Sequence, residues 1–255
     1  KANAAKASTV KLGAGDDKLS LTTDTVGTYV FGEAGNDTIK AVNALSAKDL
    51  IDGGEGTDTL VLAAAANTMV LRGVEKLTLT NTATGANVIN SADSAIAVTV
   101  EAGTGITAMT GLELTGLTSG STVTINDAKD ATGGIDTNTI IGFKSAEAAT
   151  TLDINSVVAN SSTNDLEVTN VTNLTVDTAK DAVFDNTKLS GATDVTFKAA
   201  AQIETGVISD EATNDTLKNV TVSSTSTSTG DTVTVGNITA TTLETVNVSG
   251  VKEVK

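Results

Sequence analysis

Along much of this chain apolar residues alternate with polar ones over short runs, and each run breaks off at glycine, asparagine, aspartate or serine. The runs "VEKLTLT" (74–80), "AVTVEA" (97–102), "STVTIN" (121–126), "VTNLTVD" (171–177), "ATDVTFK" (192–198), "LKNVTVS" (217–223) and "LETVNVS" (243–249) all have this form. A period of two sends successive side chains to opposite faces. Each run therefore predicts a short strand packed on one face and wet on the other, a role that suits Val, Ile and Thr. The apolar centres Leu174, Val195, Val220 and Val246 recur 21, 25 and 26 residues apart, as expected of a coil that returns to the same place at each step. Helical patterning is weak. "AAAAN" (63–67) and "SAEAAT" (145–150) predict one or two helical turns each, and "SSTSTSTGD" (223–231) reads as either a polar loop or an outward-facing strand.

Upstream of these runs a turn repeats. In register it reads "LGAGDDKLS" (12–20), "GEAGNDTIK" (32–40) and "GGEGTDTLV" (53–61): glycine-rich turn, aspartate, one residue, then Leu19, Ile39 or Leu60. The aspartates Asp17, Asp37 and Asp58 are 20 and 21 residues apart. Two nine-residue repeats make one coil of roughly 18 residues. Steps of 20 and 21 therefore stack all three turns on one side and leave the extra residues opposite, near 23–27 and 44–48. The predicted division is a turn-rich segment, 1–62, followed by a threonine-rich solenoid, 63–255, with a sub-boundary near 127–134.

Composition narrows the function. The chain has 255 residues, 39% of them hydrophobic, enough for a core, but aromatics make up only 2%, so aliphatics and threonine must fill it. The formal net charge of −15 repels phosphate backbones and anionic lipid, which argues against nucleic acid and favours divalent cations. Cysteine, histidine and proline are absent and Arg72 is the single arginine. Disulfides, thiol nucleophiles and the common zinc sites are thereby excluded, and so is histidine as a proton shuttle. No 18-residue apolar run predicts membrane insertion. The chain opens on Lys1 without a charged-then-apolar leader and reads as a segment of something longer. No nucleophile–base or acid–base pair stands out by spacing, so an enzyme is not expected. Arg72 reads as a solvated residue or a clamp on a carboxylate, and the threonine-rich strands as strand formers whose exposed hydroxyls could carry sugars.

Calcium takes six to eight oxygens from carboxylates and carbonyls at about 2.3–2.6 Å. Glycines let consecutive carbonyls point at one centre, and the aspartate adds charge at the turn's exit. One turn offers too few ligands. Two turns stacked about 4.8 Å apart, the spacing of neighbouring strands, offer enough.

The stretches "GAGDDKL", "GEAGNDTI" and "GGEGTDTL" resemble the RTX nonapeptide, G-G-x-G-x-D-x-U-x with U aliphatic. With the strands that follow, the chain resembles the C-terminal part of calcium-dependent surface-layer (S-layer) proteins of Gram-negative bacteria, the Caulobacter and Campylobacter kind. That resemblance implies an all-β fold: a right-handed parallel β-roll with Ca2+ between successive turns, continuing into a β-solenoid, with β-sandwich-like interruptions left open. It implies side-chain ligands Asp17, Asp37 and Asp58, the Asp37/Asp58 pair foremost. Carbonyl ligands would be Leu12, Ala14 and Asp16, then Gly32, Ala34 and Asn36, then Gly53, Glu55 and Thr57. Two residues depart from the motif: Leu12 replaces the first glycine of its repeat and Glu33 the second of its own. Weaker echoes at Asp165, Asp215, Asp231 and 133–140 lack part of the glycine frame. The implied role is structural: a subunit secreted by a type I route that assembles with copies of itself into a surface lattice, held to cell-surface polysaccharide through another part of the chain. The alternatives are a stalk or binding module of a large RTX adhesin and, further off, a calcium-dependent polysaccharide lyase.

Overall fold

The computed structural model describes residues 7–22, 26–63, 67–80, 85–89, 94–100, 112–126, 139–154, 165–212 and 215–250. Every strand pairing among them is parallel, and the strands sort into ladders that run the length of the chain. The first ladder stacks β1 (Ser8–Ala14), β3 (Thr28–Ala34), β5 (Leu50–Asp52), β7 (Thr68–Arg72), β9 (Gly85–Ile89) and β11 (Leu112–Leu117). It continues through the first halves of β13 (Thr139–Ile154) and β14 (Asp165–Thr178), then β16 (Asn186–Ser190), β19 (Val207–Asp210) and β22 (Ile238–Thr239).

The second ladder stacks β2 (Lys18–Leu21), β4 (Thr38–Ala41), β6 (Thr59–Leu62), β8 (Lys76–Leu79), β10 (Ala97–Val100) and β12 (Thr122–Ile125). The second halves of β13 and β14 follow, then β17 (Asp194–Ala199), β20 (Asn219–Ser224) and β23 (Thr245–Ser249). A short third ladder of β15 (Ala182–Val183), β18 (Ile203–Glu204) and β21 (Val233–Thr234) adds a side to the later coils. The chain is thus an all-β solenoid, the class implied by its sequence.

The two-residue period explains the core. One inward column runs in register through Leu19, Ile39, Leu60, Leu77, Val98, Val123, Leu152, Val176, Phe197, Val222 and Val248. From Ile39 to Val222 every member is buried. Aliphatic layers one strand apart need few aromatics; Phe197, tilted against Phe184 with centroids 6.4 Å apart, is the largest fully buried side chain. On the wet side Thr151, Thr175, Thr196 and Thr221 form a column in register. Leu174, Val195, Val220 and Val246 align as their spacing predicts.

Three local outcomes differ from or complete the sequence reading. The helical expectation for 145–150 is wrong, because these residues lie in β13. β14 pairs with that stretch at Glu147, Ala149 and Thr150, and a ladder of backbone hydrogen bonds outweighs a helix preference of tenths of a kcal/mol per residue. The expectation for 63–67 falls largely outside the described residues. The 223–231 stretch leaves β20 at Ser224 and becomes a loop in which the Ser226 hydroxyl donates to Asp231. Pairing across Ala63, β5 with β7 and β6 with β8, carries the same ladders from the turn-rich segment into the threonine-rich one.

Candidate metal centre

Each turn joining the two ladders in the first three coils lies over the next. Gly13 pairs with Glu33, Ala14 with Ala34 and Ala34 with Glu55, and Gly15 and Gly35 donate their N–H groups to the carbonyls of Ala34 and Glu55. The glycine frame makes this stacking possible. Gly13, Gly15, Gly35, Gly54 and Gly56 have φ between +98° and +137°, a range that strains side-chain-bearing residues. Glu33, which replaces a glycine, sits at φ +76° all the same. Its carboxylate reaches Lys11 at 3.1 Å on the previous strand.

Two side-chain ladders tie the turns together. On the outside, Asp16 accepts from the N–H of Asn36 at 2.7 Å, and Asn36 Oδ1 from that of Thr57 at 2.8 Å. On the inside the direction reverses: Asp37 Oδ1 accepts from Asp17 N–H at 2.9 Å, and Asp58 Oδ1 from Asp37 N–H at 2.7 Å. The second ladder continues where no motif announces it, since Glu75 Oε2 accepts from Asp58 N–H at 2.8 Å.

The other oxygens of Asp37 and Asp58 are the anomaly. Both residues are 1% exposed, and among the described residues Asp37 Oδ2 and Asp58 Oδ2 are the buried side-chain polar atoms without a hydrogen-bond partner. An orphaned buried carboxylate oxygen is costly, about 1–3 kcal/mol or more. Asp49, on the opposite side of the coil and equally buried, marks the contrast. Its Oδ1 accepts from Thr28 N–H, and its Oδ2 from the N–H and hydroxyl of Ser46. Asn67 likewise accepts from Leu45 N–H. Those two are structural caps; Asp37 and Asp58 are built the same way but with one oxygen left over.

Backbone oxygens converge on the orphans. A methyl group on Gly32 would run into both Asp37 Oδ2 and the Gly53 carbonyl oxygen, and one on Gly53 into Asp58 Oδ2 and the Gly73 carbonyl oxygen. An acceptor facing an acceptor calls for a proton or a cation between or beside them. Burial, then the nearby charges of Asp37, Glu75 and Asp52, push the Asp58 carboxyl above the ordinary carboxylate range, against the Asp37 N–H bond that lowers it. A divalent cation would reverse that balance.

Hard oxygens, two of them charged, buried and short of donors, fit calcium. Among the described residues no three carboxylates are placed to hold one metal ion by themselves, so carbonyls must complete the shell. Of the carbonyls expected as ligands, Gly53 lies at an orphan oxygen, whereas those of Ala34 and Glu55 already accept inter-turn hydrogen bonds. Asp17 is half-exposed, and Leu12 keeps its side chain against the core where a glycine would open the turn. The first turn therefore lacks the arrangement of the next two.

The weaker echoes have protein partners. Asp165 bonds Lys188 at 2.6 Å and Asn186 at 2.7 Å, Asp215 accepts from Thr241 N–H, and Asp231 from Ser226; 133–138 lies outside the described residues. Arg72 is exposed on β7. Sequence reasoning missed Glu75 and Gly73, whose turn lacks the glycine frame and is recognisable only by register. In comparisons with known proteins, no family model, no curated protein and no solved structure matches this chain.

Proposed function

We propose that this chain is a non-enzymatic structural module that folds on binding Ca2+ outside the cell, a segment of a secreted surface-layer subunit assembling with its own copies into a two-dimensional lattice. The observation that carries the calcium reading is the pair of buried, unpartnered oxygens Asp37 Oδ2 and Asp58 Oδ2, each at a glycine turn. Asp37 Oδ2 and the Gly53 carbonyl would hold an ion between the second and third turns. The ion supplies positive charge to a site whose own groups repel one another.

Charge at the scale of the chain supports the same reading. Two or three ions would offset four to six of the 15 excess negative charges, reducing the self-repulsion that opposes compaction. Extracellular calcium modules bind at roughly 10⁻⁴–10⁻³ M, so such a chain would stay loose in calcium-poor cytosol and close after export. The threonine column on the wet face offers a flat polar surface for neighbours in a lattice.

Far-UV circular dichroism with calcium or chelator tests the coupling. The strand signal should depend on calcium, and Asp37→Ala should raise the calcium midpoint well above that of Asp165→Ala. A chain fully folded in chelator, or equal small shifts in the two variants, would refute the proposal. Electron microscopy after calcium addition separates lattice from adhesin: sheets support the lattice, and monomeric rods the adhesin stalk.

A further inference from the structure

The carboxylate ladder does not stop where the glycine motif stops. Thr59 pairs with Lys76, so Asp58 and Glu75 hold the same place before their strands. Asp52 pairs with Arg72, so Gly53 and Gly73 hold the same place after theirs. The fourth turn, 73–75, is half the length of the third, 53–58, and carries only the motif's outline. Its functional atoms are nevertheless in position. Gly73, at φ +51°, brings its carbonyl oxygen to the point that Asp58 Oδ2 also approaches, as Gly53 does for Asp37 Oδ2 one coil earlier. Glutamate's extra methylene spans the shorter turn, and Glu75 Oε2 takes the Asp58 N–H as Asp58 Oδ1 takes that of Asp37.

We propose that the third and fourth turns hold a second divalent cation, with Asp58 Oδ2 and the Gly73 carbonyl oxygen as direct ligands and Glu75 closing the site and supplying its second negative charge. The inference rests on the calcium reading above, but not on the motif. The independent observation is the orphaned oxygen of Asp58, on a side chain 1% exposed and directed at this point. Gly53 is obligatory for a matching reason: its missing side chain leaves the room in which carboxylate and carbonyl oxygens meet. The array is therefore displaced by one coil from where the repeats suggest. It skips the first turn, where Leu12 stands, and ends at Glu75, because the next strand entry carries Ile96, whose N–H is taken by the Ser121 hydroxyl instead of a carboxylate.

Native mass spectrometry of the chain titrated with calcium chloride counts the ions. Glu75→Gln keeps an acceptor for the Asp58 N–H and removes only charge. The expected result is loss of one ion, or at least a tenfold weaker second binding step, with the ion at Asp37 retained; Asp37→Asn should remove the other. An unchanged count and affinity in Glu75→Gln overturns the inference and leaves the proposed function standing, whereas a wild type that binds no calcium overturns both. Anomalous scattering from manganese-soaked crystals of the wild type decides the matter without any variant. A peak within ligand distance of Asp58 Oδ2 and the Gly73 oxygen is expected, and a peak at Asp37 alone overturns the assignment.

Discussion

Asp49 and Asp58 are buried to the same degree, yet only one is satisfied, and the difference lies in how many N–H and O–H groups reach each carboxylate. The glycines around Asp37 and Asp58 follow from that geometry. Gly32 has an ordinary φ, so alanine there fails by contact with the Gly53 oxygen and Asp37 Oδ2 rather than by backbone strain. Gly32→Ala should lose about 1–3 kcal/mol in urea unfolding. Gly230→Ala, with open space around it, should stay within about 0.5 kcal/mol. Equal effects would mean the turns are not packed as described.

Asp165 tests a different principle at the same scale. Burial works to raise its carboxyl, but the bonds from Lys188 and Asn186 win and hold it below the ordinary range. A carboxyl whose folded value lies below its unfolded one, near 3.9, adds stability that is present above that pH and lost as pH falls through the folded value. Lys188→Met should therefore cost about 0.2–1 kcal/mol at pH 7, towards the low end because Lys188 is 37% exposed. The gap from wild type should close as the pH falls through the folded value of Asp165. Urea unfolding at a series of pH values measures it, and a gap that persists in acid would show packing rather than charge.

At the scale of the strand, sequence and structure agree where the period-two signal is long. The runs around Leu77, Val98, Val123, Val195 and Val220 all become second-ladder strands, since inside-out alternation is the period of the fold itself. The two-residue strands Ala182–Val183 and Ile203–Glu204 are too short to leave such a trace. The 145–150 stretch misleads because alanine's mild helix preference is local, while the β14 ladder that claims it comes from residues more than twenty positions away. The site divides in the same way. Asp37, Asp58 and Gly53 announce themselves through a repeated motif. Glu75, Gly73, Asp49 and Asn67 do not, because each acquires its role from the coil stacked beside it and not from its neighbours in sequence.

At the scale of the whole molecule, every coil touches chiefly the coils before and after it, and the backbone hydrogen bonds between them lie along the stacking axis. Tension applied along that axis does not load these bonds together, as it would in a sheet pulled end to end; it peels them one coil at a time. Each coil of about 20 residues would release roughly 70 Å of slack as it opens. In optical tweezers the chain should lengthen in many small steps at modest force. Calcium should reinforce the first few coils only, so that they give way last; one large rip, or strengthening spread evenly over all steps, would contradict this. A layer woven from such coils would yield under strain by lengthening, and would recover its thickness as the coils wind back.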